Sequence, residues 1–248
     1  MPDRIEQLLH RRTDLSTFLV HLTKDTGDRT ARDNLLSIAE ARVIEARKPL
    51  GMGADLDDHL RRTPATQRVA CFSETPLEHT WMMARQIQGR KESFQRYGVV
   101  FTKSFCRRKG CNPVWYLDIT KGHDWLTEPV REQVNRAVSE STDATGAIDR
   151  QRLVSQPILR ITPFIEQMGK PNGTRKEFWW EREWRHVGNF NFRTPKHVVA
   201  LLAPEDDHTV LADQVANLSY SWRTREVPLG SRLGARADDL RTRRRGPG

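Results

Sequence analysis

Apolar positions cluster in short β-branched or alternating runs along most of this chain, and helical spacing appears in only a few places. TFLVHL (residues 17–22) predicts a first strand, and RVACFS (68–73), YGVVFTK (97–103) and NPVWYLDI (112–119) predict three more. FWWEREWRHVGNF (178–190) and KHVVALLAP (196–204) predict two later ones. Helices are expected over residues 3–12, over 34–42, where Leu35, Ile38 and Ala39 share a face, and over 128–140 and 154–168. Pro76 stands at the first turn of a helix expected to continue through Trp81, Met82 and Ile87. Pro49, Gly51 and Gly53 mark one loop, and GKPNGTRKE (169–177) marks another. A strand and a helix come first, then clustered strands with helical insertions. That order predicts one α+β domain over residues 1–230 rather than a regularly alternating fold. The stretch 231–248, ending RTRRRGPG, has no apolar periodicity and reads as a basic, disordered tail.

Composition narrows the class. The 248 residues include 41 Lys+Arg against 32 Asp+Glu, a formal net charge of +9. No apolar run approaches the ~20 residues needed to span a bilayer. The opening residues are charged and amphipathic, without the apolar segment of a signal peptide. Three cysteines make no disulfide framework, so the chain reads as soluble and cytoplasmic. Positive charge favours polyanionic partners, although an Arg-rich surface gives the same sum without one. HLTKDTGDRT, after the first strand, lacks the glycine-rich turn of a dinucleotide fold, Gly51-Met52-Gly53 is only a fragment of it, and no GxxxxGK[ST] occurs. Dehydrogenases and P-loop enzymes are therefore not expected. Cys106 and Cys111 have a spacing zinc tolerates, but a second ligand pair is missing, and their basic surroundings fit a turn better.

Three local patterns carry candidate chemistry. If Trp180–Arg185 is a strand, Glu181, Glu183 and Arg185 line one side and Trp180, Arg182 and Trp184 the other. Two carboxylates beside an arginine are costly to bury for packing alone, and the cation would keep them ionised and able to stabilise developing positive charge. A solvated edge strand with cross-strand ion pairs would show the same letters. His21 and Thr23 at a strand end, with Asn34 opening a helix, form a candidate cluster for sugar hydroxyls; a lone strand-end histidine is more often a satisfied structural residue than a ligand. Phe72-Ser73 sets an aromatic face beside a hydroxyl, which suits a stacked heterocycle or, more plainly, a strand exit. Arg107-Arg108-Lys109 could guide a nucleic-acid backbone and Trp115 or Trp179 could stack on bases, although Trp115, between strand residues, reads as core.

In order along the chain, these pieces resemble the DarT-like and AbiGi-like branch of the ADP-ribosyltransferase superfamily. His21-Leu22-Thr23 followed by Asn34-Leu35-Leu36-Ser37-Ile38 resembles the DarT pattern. Cys71-Phe72-Ser73-Glu74-Thr75-Pro76-Leu77, Tyr97-Gly98-Val99-Val100-Phe101, Asn112-Pro113-Val114-Trp115-Tyr116 and Glu181-Arg182-Glu183-Trp184-Arg185 resemble AbiGi-type abortive-infection proteins. The resemblance implies a split, twisted β-sheet with peripheral helices and NAD bound in its cleft as co-substrate. His21 and Thr23 would contact a ribose of NAD, Asn34 would support that end, and Phe72 and Ser73 would lie near the nicotinamide. Glu183 would be catalytic, with Glu181 as second choice, steadying an oxocarbenium-like transition state as carboxylates do in glycoside hydrolysis. The arginine those enzymes use near the substrate is not assigned in this chain, and their nucleotide-recognising loop does not align. One expectation is therefore an NAD-dependent ADP-ribosyltransferase, a toxin or phage-defence effector acting on single-stranded DNA or RNA. The alternative is a non-catalytic AbiGi-type antitoxin that binds a cognate toxin or nucleic acid. The transferase expectation requires His21 and Glu183 to face a common cleft.

Overall fold

The computed structural model describes residues 14–52, 64–86, 93–171, 175–192 and 197–218; the expected helix 3–12, Gly53, Ile87 and the stretch 231–248 lie outside them. Strand β1 (Phe18–Leu22) leads into helix α1 (Ala31–Ala41). Thr30, in an extended conformation, caps α1 with Asp33 in a reciprocal capping box, so the helix starts before the expected position and Asn34 sits within its first turn. Arg42 ends it in the left-handed region at φ 54°, and β2 (Val43–Ile44) follows. Gly51 has φ +80°, and a Cβ there would stand 2.8 Å from the Ile165 carbonyl oxygen, so only glycine lets this loop pass so closely.

Strand β3 (Val69–Ser73) is followed by a 3₁₀ turn, Leu77–His79, and the short helix α2 (Thr80–Met83). β4 (Gly98–Thr102) runs straight into α3 (Lys103–Arg108), capped by the Thr102 hydroxyl. The single strand expected over 112–119 is two, β5 (Asn112–Pro113) and β6 (Trp115–Asp118), which belong to different sheets. Pro113 offers no N–H to continue a ladder, and the amide of Val114 bonds the Glu183 carbonyl at 2.9 Å. Helix α4 (Thr127–Glu140) matches its expectation. The helix expected over 154–168 does not form. α5 (Arg150–Ser155), 3₁₀ turns Pro157–Arg160 and Thr162–Phe164, and β7 (Ile165–Met168) replace it, because Pro157 and Pro163 each lie in the opening of a new turn and deny a helical donor.

The late tryptophan-rich run also differs. Residues Trp179–Glu181 form a 3₁₀ turn, Arg182 adopts φ 49°, and β8 (Glu183–Val187) begins only after it. Glu181 is therefore not a strand residue, and the alternation expected over residues 180–182 does not apply. β9 (Phe190–Asn191), β10 (Val198–Leu202) and helix α6 (His208–Leu218), which was not anticipated, complete the described chain.

Among the described residues, six strands form one open sheet in the order β10–β4–β1–β3–β8–β5, every neighbouring pair antiparallel. β1, β3, β4 and β8 are its four inner strands. β1 pairs with β4 over five positions and β3 with β8 over five, but β1 and β3 pair only at Val20 and Ser73. The sheet is split at its centre. Beyond the split, Arg47 exchanges both backbone hydrogen bonds with Val69, at 2.8 and 2.9 Å, and takes an edge of β3 that β1 leaves open.

Strand alternation sorts the core. One face carries Leu19, Phe72, Phe101 and Trp184, covered by Phe105, Phe190 and Phe192. Their rings meet edge to face, with Phe72–Phe190 centroids 4.9 Å apart and Phe101–Phe192 5.1 Å apart. The other face carries Val20, Leu22, Val100, Ala200 and Leu202 against Met83. Two smaller sheets flank the large one, β6 with β7 in parallel and β2 with β9 antiparallel.

Candidate functional site

A cleft of about 590 Å³ runs along the split, within the size range of small-molecule sites. His21, Thr23, Asn34, Phe72, Ser73, Glu181 and Glu183 all line it. His21 and Glu183 reach it from opposite faces of the sheet. His21 lies on the phenylalanine side, its ring centroid 5.9 Å from that of Phe72, whereas Glu183 is opposite Ser73 and shares its side. They meet one cavity because it passes through the gap between β1 and β3.

At the gap, Nδ1–H of His21 donates to the Cys71 carbonyl at 2.8 Å, where strand pairing has lapsed. Burial lowers its basicity; the carbonyl bond opposes that, and the neighbouring Arg47 adds to it. The imidazole is thus held neutral and bonded. Thr23 is buried, and its hydroxyl donates to the Ala31 carbonyl at 2.8 Å. The Asn34 amide donates to the Lys24 carbonyl and to the Thr26 hydroxyl, both at 2.8 Å. Together these bonds fasten the 23–30 loop to the start of α1. Ser73 donates to the Glu181 carbonyl at 2.7 Å and anchors the 3₁₀ turn before β8. Phe72 is packed into the aromatic core. The donors of the polar cluster expected for sugar hydroxyls are therefore already bonded within the chain.

The Glu183 carboxylate is committed as well. Arg185 is 2 % exposed, and its guanidinium grips both Glu183 oxygens, Nε to Oε1 at 2.9 Å and Nη2 to Oε2 at 3.0 Å. The same Nη2 reaches Glu166 Oε2 at 2.7 Å, and Nη1 donates to the Pro163 carbonyl at 2.9 Å. Lys176 closes the chain on Glu166 Oε1 at 2.7 Å. Burial alone would lower the Arg185 pKa; Glu183 above all, then Cys71 and Glu166, raise it, so the cation is fixed. Burial, then the Glu183 charge, pushes the Cys71 thiol up, and the same two causes with Glu181 push Tyr116 up. Both stay neutral beside the network. β8 is flanked by β3 and β5 and is not the solvated edge strand that exposed ion pairs would imply. Exposed Arg29, Arg47, Lys48 and Arg175 stand among the residues of the cleft wall, Arg47 paired with Glu45 and Arg175 with Glu177.

The sequence pattern correctly joined Glu183 to Arg185 but missed Glu166, Lys176 and Tyr116. Glu166 lay in a segment read as helix, although the run Ile165-Glu166-Gln167-Met168 between a proline and a glycine could have marked a strand. Trp115, expected in the core, is 60 % exposed. Cys106 and Cys111 lie together and buried, a thiol–thiol hydrogen bond and burial raising the Cys106 pKa. Among the described residues no group of three or more His, Cys, Asp and Glu is placed to hold a metal ion, and no helix is long and apolar enough to cross a membrane.

A family model described as "Putative abortive phage resistance protein AbiGi, antitoxin" matches residues 55–213, more than half of the chain. No curated protein and no solved structure matches. The matched span contains Phe72, Ser73, Glu181 and Glu183; His21, Thr23 and Asn34 lie before it.

Proposed function

The chain belongs to the AbiGi family of abortive phage resistance proteins, and on that premise we propose that it is a non-catalytic antitoxin that acts by binding its cognate toxin. The observation that carries this reading is the locking of Glu183 by Arg185. A carboxylate that must stabilise a developing cation needs an oxygen turned toward substrate. Here both oxygens lie within 3.0 Å of a buried guanidinium that already cancels the charge. The family description, which names an antitoxin, supports the same side.

The test is growth rescue. Cells expressing the toxin should survive when the chain is co-expressed, and the two proteins should co-elute on size exclusion. Glu181→Gln should neutralise the toxin as well as the native chain does, because a binding role needs no carboxylate there. Failure to rescue and to co-elute would refute the antitoxin reading.

A second reading, NAD-dependent ADP-ribosyl transfer to single-stranded nucleic acid, rests on a separate observation: all seven candidate residues line one cleft at the sheet split. The cavity volume suits NAD, which would supply the ribosyl group for transfer. The hydrogen-bonding groups fit it less well, since Thr23, Asn34 and Ser73 already bond the chain itself. Nicotinamide release by the purified chain separates the two readings.

A further inference from the structure

We infer that single-stranded nucleic acid binds along the β5 edge of the large sheet, with bases stacked on Trp115 and Trp179 and phosphates held by Arg107, Arg108 and Lys109. β5 is the last strand of the sheet, and α3 delivers the three cations directly to its start. All three are exposed, and no carboxylate among the described residues pairs with them. Their field is felt nearby: burial first, then Arg108 and Lys109, lowers the basicity of His197.

From Lys109 the chain runs six residues to Trp115, a span of at most ~22 Å. The Val114 amide bonds the Glu183 carbonyl at 2.9 Å, and one residue beyond that bond on either side stand Trp115 and Arg182. The Arg182 amide in turn bonds the Trp179 carbonyl at 3.1 Å. The topology thus brings two tryptophans, 60 % and 57 % exposed, to one end of a strip whose other end is cationic.

Indole faces and a row of unpaired cations are what a single strand requires, because every base has a stacking face and every phosphate a charge. A protein partner is the weaker fit on two counts. Pro113 leaves the edge without a donor for an added strand. Protein interfaces are also depleted in lysine and in unpaired charge at their centres.

The experiment is fluorescence anisotropy of a labelled twenty-nucleotide oligothymidylate with the full chain at low salt. Trp115→Ala and Trp179→Ala should each weaken binding about tenfold, on the scale of one lost stacking contact. Replacing Arg107, Arg108 and Lys109 by glutamine should flatten the log–log salt slope by about 2. Both tryptophans are exposed, so thermal melts of their variants should match the native chain. Three results would overturn the inference: no binding at low ionic strength, affinity unchanged in all these variants, or binding that survives them and vanishes when residues 231–248 are removed. Loss of toxin binding in Trp115→Ala, with oligonucleotide affinity unchanged, would instead assign the strip to a protein.

Discussion

The two faces of the central sheet are held by opposite means. On one, Phe72 and Phe101 meet Phe105, Phe190 and Phe192 in a dry aromatic layer. On the other, one residue along the same strands, Ser73 and Cys71 face Glu183 and Arg185, and an ion-paired chain extends through Glu166 to Lys176. The aromatic face tolerates loss gradually, since each ring has several neighbours. The ionic face depends on one group: removing Arg185 leaves Glu183 without its counter-charge and Glu166 with only Lys176. A cleft walled by such a network is rigid and electrically balanced, which suits a surface that recognises a partner better than one that must shift charge.

The largest expected effect is therefore at Arg185. Arg185→Ala should destabilise the fold by about 3–5 kcal/mol in urea unfolding. Arg185→Lys should recover only part of this, because an ammonium cannot grip two carboxylates in one plane. Replacing Glu166, Glu183 and Arg185 together by apolar residues of similar volume should come close to neutral. If the triple replacement were as damaging as Arg185→Ala, the ion pairs would contribute net stability and the comparison would need revision. Phe101→Leu on the aromatic face should cost less, about 1–2 kcal/mol, with a single cooperative transition retained.

The smallest effect comes from His21, which stands at the split between the two halves. Its pKa in the folded chain is below the ordinary value of 6.5, chiefly through burial. The unfolded chain thus takes up the proton first, and stability present above pH 6.5 is lost as pH falls below it. His197 acts in the same direction, so the native chain should lose stability as pH falls below about 6.5. His21→Gln, which keeps a donor for the Cys71 carbonyl, should flatten that slope without abolishing it. An unchanged slope in His21→Gln would show that the histidine is not the group held neutral.

Much of this was legible in the letters. β1, β3, β4 and β10 are short β-branched runs and were found within a residue or two, because burial on both faces leaves few polar positions to confuse the pattern. The failures lie where local chemistry interrupts a run. Pro113 divides one expected strand between two sheets, Pro157 and Pro163 break an apolar stretch that otherwise has helical spacing, and Arg182 in the left-handed region delays β8. At the site, the kinship of Glu183 and Arg185 follows from a two-residue spacing. Glu166 and Lys176 complete their network from distant segments, and no spacing announces a contact made by tertiary packing. The commitment of Thr23, Asn34 and Ser73 was hidden for the same reason: a polar side chain at a strand end looks alike whether it faces a ligand or its own main chain.

The proposal that the chain binds a partner rather than transferring ADP-ribose is tested most directly by incubating the purified chain with NAD, with and without single-stranded DNA or RNA, and measuring free nicotinamide by mass spectrometry. The account predicts no release above the protein-free blank in any condition. Sustained release by the native chain that disappears in Glu181→Gln, with the fold intact, would contradict it and make the chain an enzyme.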